Sequence, residues 1–176
     1  MGKLLVDAGY HVCFGDAAGM EPAQTAADRA GAVADTPYND AAVCDVVIFA
    51  ADRTQMDDLI AQSGSIAPHA VVIDAMESAR SGDENGAALL ARKLDTHRVV
   101  RAMIPLPQAG ANVLFCSDDA DAMTVAEEVF RTAGCVTTDR GPLANAAEIE
   151  TSAENSVITR DSSFATLKSV NTAQSQ

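Results

Sequence analysis

The sequence predicts a doubly wound α/β domain, and three apolar runs carry that prediction. The first, residues 45–51, is Asp-Val-Val-Ile-Phe-Ala-Ala, so bulky apolar residues follow one another without interruption. A strand with one exposed face would alternate apolar and polar residues, so this run indicates a strand covered on both faces. The runs at 70–74 and 98–104 have the same character, and each follows a segment of helical periodicity. Strands that alternate with helices predict a mostly parallel sheet with helices on both faces.

The N-terminal third predicts further elements that lead to the central run. Residues 1–9 place apolar side chains at helical spacing and end at a glycine, which is typical of the back half of a helix. A strand is predicted at 11–15 and an alanine-rich helix at 21–30. The remaining elements of this third are a brief edge strand at 32–35 and a short helix at 39–43.

The middle third continues the alternation of strand and helix. Asp52 suits the N-cap of a helix over 53–62, in which apolar residues recur every three or four positions. A second helix is predicted at 85–94. The strand at 97–104 ends at Pro105, because proline cannot donate to a strand ladder.

The last third predicts two more strands, two helices and a tail. Ser117 follows a strand at 112–116 and is predicted to cap a helix that reaches Ala133. A strand at 135–138 and a helix at 143–152 come next. Residues 153–176 are rich in Ser, Thr, Asn and Gln, which predicts a polar, disordered tail. The domain is therefore expected to span residues 1–152.

Composition limits the classes of partner. With 176 residues and 48% apolar content, the chain is large enough for one domain with a sizeable aliphatic core. A formal charge of −13 argues against nucleic acid and anionic membranes as partners, because both are polyanions. Three lysines and nine arginines oppose 25 acids, a balance that fits a salt-loving source and an ordinary acidic bacterial protein alike. No run is long enough to span a membrane, so a soluble cytoplasmic protein is expected.

Neither the cysteines nor the acidic clusters predict a metal site. The four cysteines show no Cys-x-x-Cys spacing, and each lies in or beside a predicted strand, which favours buried, reduced thiols. Asp118, Asp119 and Asp121 form an acidic cluster, but a helix N-terminus accounts for it. No metal is therefore predicted.

Candidate site residues follow from the predicted sheet. In open α/β sheets, ligands bind beyond the carboxyl ends of the strands. Small residues there let a flat ligand approach the backbone, and an acid after the second strand suits the ribose hydroxyls of an adenine nucleotide. A second interpretation stays open, in which the small residues only form tight turns and the acid caps the next helix. The predicted cofactor-binding residues are Phe14, Gly15, Asp16, Ala50, Ala51, Asp74, Ala75 and Met76, and the predicted substrate-binding residues are Ile104 and Pro105.

Several motifs resemble one family of Rossmann proteins. They are Ala8-Gly-Tyr-His-Val-Cys-Phe-Gly15, Cys44-Asp-Val-Val-Ile-Phe-Ala50, Val71-Val-Ile-Asp74, Val99-Val-Arg-Ala-Met103, Ser117-Asp-Asp-Ala120 and Gly141-Pro-Leu-Ala-Asn-Ala146. Together they are similar to the NADPH-dependent reductases of the deazaflavin coenzyme F-420 and related NADP oxidoreductase domains, and the Gly-Pro-Leu-x-Asn element is the most specific of them. The resemblance implies a Rossmann-like fold that holds NADP(H) over the strand ends and passes a hydride to or from a deazaflavin.

The chain also departs from that family. Members begin with a strand and a Gly-x-Gly-x-x-Gly turn that holds the pyrophosphate, whereas this chain begins inside the helix that should follow. The first strand is therefore expected to be missing, which leaves either a gap in the sheet or a need for a substitute strand. Asp16-Ala17 replaces the Ser-Arg pair of the family, which favours NAD over NADP because a carboxylate repels a 2′-phosphate. Ile104 also stands where the family has a polar His or Asn, and Ala51-Asp52 replaces a Pro-Trp pair.

Two functional hypotheses from different classes follow. In the first, the chain is an NAD(P)-dependent oxidoreductase, with a nucleotide as its partner and a deazaflavin or flavin-like acceptor. In the second, it is a catalytically inactive Rossmann-like scaffold that acts in dimerisation or protein binding. The missing turn and Ile104 motivate the second hypothesis. A homodimer is compatible with both.

Overall fold

The computed structural model describes residues 1–34, 41–76, 85–104, 109–151 and 163–168. Eight strands in these ranges form one sheet in the order β2-β1-β8-β3-β4-β5-β6-β7. The strands are β1 (His11–Gly15), β2 (Val33–Ala34), β3 (Val46–Ala50), β4 (Val71–Asp74), β5 (Val99–Met103), β6 (Asn112–Cys116), β7 (Val136–Asp139) and β8 (Ser163–Lys168).

Six α-helices connect the strands in the described part of the chain. They are α1 (Gly2–Asp7), α2 (Met20–Ala30), α3 (Met56–Ser63), α4 (Gly86–Leu94), α5 (Ala120–Thr132) and α6 (Ala146–Thr151). Single 3-10 turns at Arg53–Gln55 and Leu143–Asn145 precede α3 and α6, where sequence analysis predicts continuous α-helix. None of the described helices is long and apolar enough to cross a membrane.

The helices cover both faces of the sheet, which confirms the predicted fold class. On one face, α1, α2 and α5 bury apolar residues against the strands, including Leu5, Ala27 and Phe130. On the other face, α3, α4 and α6 do the same, including Leu59 and Leu90. Parallel pairing joins β1 to β2, β3 to β4, β4 to β5 and β6 to β7. The sheet is antiparallel where β6 meets β5 and on both sides of β8.

Strand β8 corrects the expectation of a disordered tail for residues 163–168. It lies between β1 and β3 and pairs antiparallel with five residues of each. This is the position that the first strand occupies in a Rossmann sheet. The segment Ser163-Phe-Ala-Thr-Leu-Lys168 contains several polar residues, so the pattern of apolar residues does not predict a strand there. However, the edges of β1 and β3 offer backbone donors and acceptors on both sides, and unpaired groups there would each cost roughly 1–3 kcal/mol.

Two smaller predictions are also corrected. The N-cap of α5 is Asp119, whose Oδ1 accepts a hydrogen bond from the Ala122 amide at 2.7 Å. Ser117, the predicted cap, instead donates its hydroxyl to the Val99 carbonyl at 2.6 Å, so it ties β6 to β5. The short helix predicted at 39–43 lies partly outside the described residues, and its residues 41–43 form a turn.

Candidate functional site

The carboxyl ends of β1, β3 and β4 lie in one row across the sheet, and the row continues into the middle of β5. Gly15 of β1 and Phe49 of β3 both pair with Phe164 of β8, Phe49 also pairs with Asp74, and Asp74 pairs with Arg101. Neighbouring strands are about 4.8 Å apart, so Gly15 and Asp74 are separated by roughly 14 Å. We call this row and the turns that follow it the carboxyl edge. It brings together the strand ends that the sequence analysis selects.

Asp16 lies in a fixed turn at the end of β1. Its Oδ1 accepts a hydrogen bond from the Ala18 amide at 2.8 Å, and its carbonyl accepts one from the Gly19 amide at 3.0 Å. The Gln62 side chain donates to the Ala17 carbonyl at 2.8 Å, which ties this turn to α3. The N-cap of α2 is Gly19, and no side chain caps that helix. Asp16 therefore forms an Asx turn and does not act as the helix cap of the second interpretation.

The other predicted site residues differ in their exposure. Ala50, Ala75 and Ile104 are partly exposed and lie against the same apolar cluster. Five of the predicted residues have buried side chains, namely Phe14, Asp16, Ala51, Asp74 and Met76. Gly15 is buried as well, and Pro105 lies outside the described residues. The more exposed parts of the edge are thus the turn that follows Asp16, together with Ala50, Ala75 and Ile104 at the ends of β3, β4 and β5.

Asp74 belongs to a ring of four buried charges beneath the carboxyl edge. Arg53 Nη1 donates to Asp74 Oδ2 at 2.9 Å, and Arg101 Nη1 donates to the Asp74 carbonyl at 2.9 Å and lies 3.5 Å from Oδ1. Arg101 Nε donates to Glu150 Oε1 at 3.0 Å, and Arg53 Nη2 lies 3.9 Å from the same oxygen. We call these residues, Arg53, Asp74, Arg101 and Glu150, the charge quartet. It connects the turn after β3, the end of β4, the middle of β5, and α6.

Two members of the quartet are fully buried and two are mostly buried, so the charges depend on one another for compensation. Asp74 and Arg101 have no exposed side-chain area, and Arg53 and Glu150 retain 9% and 22%. Removing one partner of a buried ion pair typically costs about 3–5 kcal/mol, because the remaining charge loses its compensation. Arg53 Nη2 makes no hydrogen bond with any residue that the structure describes. The quartet therefore fixes the backbone of the carboxyl edge, and it leaves the Asp74 carboxylate no oxygen facing a ligand.

Gly86 explains why α4 approaches the quartet so closely. A Cβ built on Gly86 would lie 2.5 Å from Cζ of Arg53. Asn85 caps the same helix through its Oδ1, and its Nδ2 donates to the Leu143 carbonyl at 2.7 Å. The start of α4 is thus held against both the Arg53 guanidinium and the turn before α6.

Sequence analysis misses Arg53, Arg101 and Glu150 as members of a site. The available signal is Arg101, which interrupts the apolar run Val-Val-Arg-Ala-Met at 99–103. An arginine in a strand covered on both faces requires a buried carboxylate, because an unpaired charge there is costly. Asp74 at the end of the preceding strand is one such partner, but nothing in the local sequence around Arg53 or Glu150 indicates the others.

The cysteine next to the quartet is unsuited to nucleophilic chemistry. Cys116 has no exposed area, and its burial raises the pKa of the thiol to about 12, although the nearby Arg101 partly opposes that rise. Burial also raises the pKa of Cys135. The thiolate is the reactive form of cysteine, so both thiols are inert near neutral pH. Among the described residues, no group of three potential metal ligands comes together.

The sheet order, the helices on both faces and the shared carboxyl edge define a Rossmann-like α/β domain. Residues 1–78 match the family model described as NADP oxidoreductase, coenzyme F420-dependent, which confirms the resemblance seen in the sequence motifs. The match covers 78 of the 176 residues, which is less than half of the chain. The element Gly141-Pro-Leu-Ala-Asn145 lies outside the matched residues, and its link to the family stays a prediction.

Solved structures support the fold. A hypothetical protein from Sinorhizobium meliloti is 21% identical, with a TM-score of 0.73 over 89% of this chain and 85% of that one. A proposed F420-dependent NADP reductase from Arthrobacter sp. FB24 is 17% identical, with a TM-score of 0.66 over 85% and 82%. An imine reductase variant from Myxococcus stipitatus, solved with NAD+, is 17% identical, with a TM-score of 0.64 over 85% of this chain but 53% of that one. No curated protein matches the chain.

The described residues fit part of an NAD(P) molecule. Asp16 is largely buried, but its Oδ2 accepts no hydrogen bond from the described residues and can receive one from a ribose hydroxyl. The phosphates fit less well, because β8 occupies the position of the first Rossmann strand and runs in the opposite direction. The turn that normally follows that strand, and whose amides hold the pyrophosphate, therefore has no counterpart among the described residues.

Proposed function

We propose that this chain is an NAD(P)-dependent oxidoreductase that transfers a hydride between a nicotinamide cofactor and a deazaflavin or flavin-like acceptor. The observation that carries the proposal is the family match over residues 1–78, which include β1, β3 and β4 of the carboxyl edge. When bound, the nicotinamide supplies the hydride chemistry. The protein needs to bind and orient the two partners, so the absence of an exposed nucleophile or acid among the predicted site residues is no obstacle.

Asp16 has the role of binding the adenosine ribose in this proposal. Its Asx turn fixes the carboxylate at the end of β1, and the bond from Gln62 to the Ala17 carbonyl holds the turn against α3. A fixed carboxylate accepts hydrogen bonds from ribose hydroxyls and repels a 2′-phosphate. We therefore propose that the cofactor is NAD or NADP, with NAD favoured.

The test of the cofactor is a titration of the full chain with NADH and with NADPH, followed by nicotinamide fluorescence. We expect saturable binding that is tighter for NADH. The matched variant is Asp16→Asn, which keeps an oxygen for the Ala18 amide but removes the charge, and it should bind NADPH relatively better. If neither nucleotide binds the wild-type chain, the proposed function is wrong.

Ile104 and Pro105 are proposed to lie on the acceptor side, at the end of β5. Ile104 is partly exposed and apolar, and it suits contact with a flat ring more than a hydrogen bond. The acceptor is tested by mixing the chain, NADH or NADPH, and either deazaflavin or flavin, and following the loss of nicotinamide absorbance. If only the deazaflavin is reduced, the proposed deazaflavin acceptor is supported. If only the flavin is reduced, the acceptor is a flavin and not a deazaflavin.

The second candidate is a catalytically inactive Rossmann-like scaffold. The direction of β8 favours it, because the start of this strand, and not a phosphate-binding turn, lies at the centre of the carboxyl edge. A hydride-transfer rate above that of the free reactants with either acceptor would eliminate this candidate. Nucleotide binding without any turnover would favour it over an active reductase.

A further inference from the structure

Strand β8 is the one element of the described sheet that joins its two outer parts. Strands β1 and β2 lie on one side of it, and strands β3 to β7 lie on the other. Its partners run from His11 to Gly15 in β1 and from Val46 to Ala50 in β3, which gives five residue pairs on each side. The slot between β1 and β3 is therefore a complete acceptor site for one extended segment.

The composition of β8 indicates that backbone hydrogen bonds provide much of the affinity between this strand and the slot. Three of its six residues are Ser163, Thr166 and Lys168, whereas β3 on one side is Val-Val-Ile-Phe-Ala. Main-chain hydrogen bonds give affinity in such strand addition. The slot and the segment are the same in every copy of the chain. A β8 inserted into the slot of a second copy can therefore form the same residue pairs as a β8 inserted into the slot of its own copy.

The length of chain before β8 is sufficient for exchange. Eleven residues separate Thr151, the end of α6, from Ser163. An extended segment of that length spans up to roughly 40 Å. Helix α6 contacts β5, and β5 lies three strand spacings from β8, which is roughly 14 Å. This length exceeds the distance to the chain's own slot, so it does not restrict β8 to that slot.

The outer strands offer less for association. The edge strands of the sheet are β2 and β7, which have two and four residues. Pairing of two copies along these edges would form few hydrogen bonds. Exchange of β8 would instead form all ten residue pairs seen in the sheet and would need no additional contact surface between the two copies. For this reason, swapping is a low-cost route to dimers.

We propose that the β1–β3 slot accepts the Ser163–Lys168 segment of a second copy, so that the protein forms a strand-exchanged homodimer. Each slot of the dimer holds the partner copy's segment in the register seen here. The proposal does not depend on the proposed enzymatic function.

The register supplies a direct test, because Thr166 pairs with the native Cys13. Opposite residues in antiparallel strands have Cα atoms about 4.5–5.5 Å apart, which lies within the range that a disulfide can bridge. The variant Thr166→Cys should therefore form a 13–166 disulfide after mild oxidation. The matched control is Ala165→Cys, which stands opposite Phe14 and should not reach Cys13.

The decisive experiment mixes two chains that cannot form this disulfide alone. One is the wild type, which has Cys13 and Thr166, and the other is the double variant Cys13→Ser, Thr166→Cys. They are incubated together at about 0.01 mM and about 1 mM, because short linkers give effective concentrations in the millimolar range. After oxidation, non-reducing electrophoresis and peptide mapping identify the bond.

We expect a covalent heterodimer joined at 13–166, with a yield that rises several-fold at the higher concentration. A disulfide in the Thr166→Cys single variant with none between the mixed chains would overturn the exchange. No 13–166 disulfide in either experiment would also overturn it, because β8 would then not occupy the slot in this register.

Discussion

At the scale of single residues, the charge quartet is the feature that most constrains substitution. Arg101 and Asp74 have no exposed side-chain area, and each is bonded to more than one partner. By contrast, the Lys3–Asp7 pair is exposed on α1, where an i,i+4 pair contributes about 0.3–0.5 kcal/mol. Changes in the quartet should therefore affect stability far more than changes in surface ion pairs.

Gly86 provides the sharpest prediction about the quartet. We expect Gly86→Ala to destabilise the protein by roughly 1–3 kcal/mol, because the added methyl would overlap the Arg53 guanidinium. In an Arg53→Ala background the overlap is gone, and the same change should be neutral or stabilising by up to about 1 kcal/mol, since alanine favours helix over glycine. Urea unfolding of the four proteins measures this. An equal cost in both backgrounds would contradict the packing described here.

The buried thiol of Cys116 predicts a dependence of stability on alkaline pH. In the unfolded chain this thiol ionises near its ordinary pKa of 9.0, whereas burial raises its folded pKa to about 12. Between these values the folded state binds more protons, so the free energy of unfolding should fall as pH rises, by at most about 1.4 kcal/mol per pH unit. Denaturation between pH 8 and 10.5 should show a shallower decline for Cys116→Ala. Parallel curves would refute the burial of this group as the cause.

In the candidate site, residues that directly follow a strand could be predicted from the sequence. Contacts between side chains from distant parts of the chain could not. Asp16 follows an apolar run directly, and it does lie at the carboxyl edge, although its Asx turn is not visible in the sequence. Arg53 and Glu150 are 97 positions apart, and only the folding of α6 onto β5 brings them together. No local pattern encodes that contact.

At the scale of elements, the start of α5 shows how capping decides between neighbouring residues. Asp119→Ala should cost about 1 kcal/mol, because the Ala122 amide would lose its acceptor. Asp119→Asn should stay within a few tenths of a kcal/mol of the wild type, since asparagine caps as well as aspartate. Thermal unfolding of both variants distinguishes a cap from a general effect of charge.

Most elements were predictable, because periodicity and turn residues suffice where the elements are amphipathic or fully apolar. Strand β6 has the predicted bounds, 112–116, and α4 begins after the predicted Asn85. Strand β8 was not predictable in this way. Its six residues carry too little apolar character to indicate a central strand, and its place is defined by the open edges of two strands more than 110 residues earlier.

At the scale of the whole molecule, β8 should control the stability of the sheet. Every amide of β8 faces a neighbouring strand, so Thr166→Pro removes a hydrogen bond inside the sheet. We expect a loss of roughly 1–3 kcal/mol from the unsatisfied carbonyl alone, with more from the proline ring. Thr166→Ala, which keeps the amide, is the control and should cost clearly less. Similar urea midpoints for the two variants would argue against a central β8.

The position of β8 also has a consequence for how the protein is made. Translation proceeds from the N-terminus to the C-terminus, and His11 can meet its partner Lys168 only after all the residues between them have left the ribosome. Until then β1 and β3 each present an open strand edge, of the kind that promotes aggregation of nascent chains. The sheet is therefore expected to close late, and the nascent chain is expected to depend on chaperones until then more than a domain whose central strand is translated first.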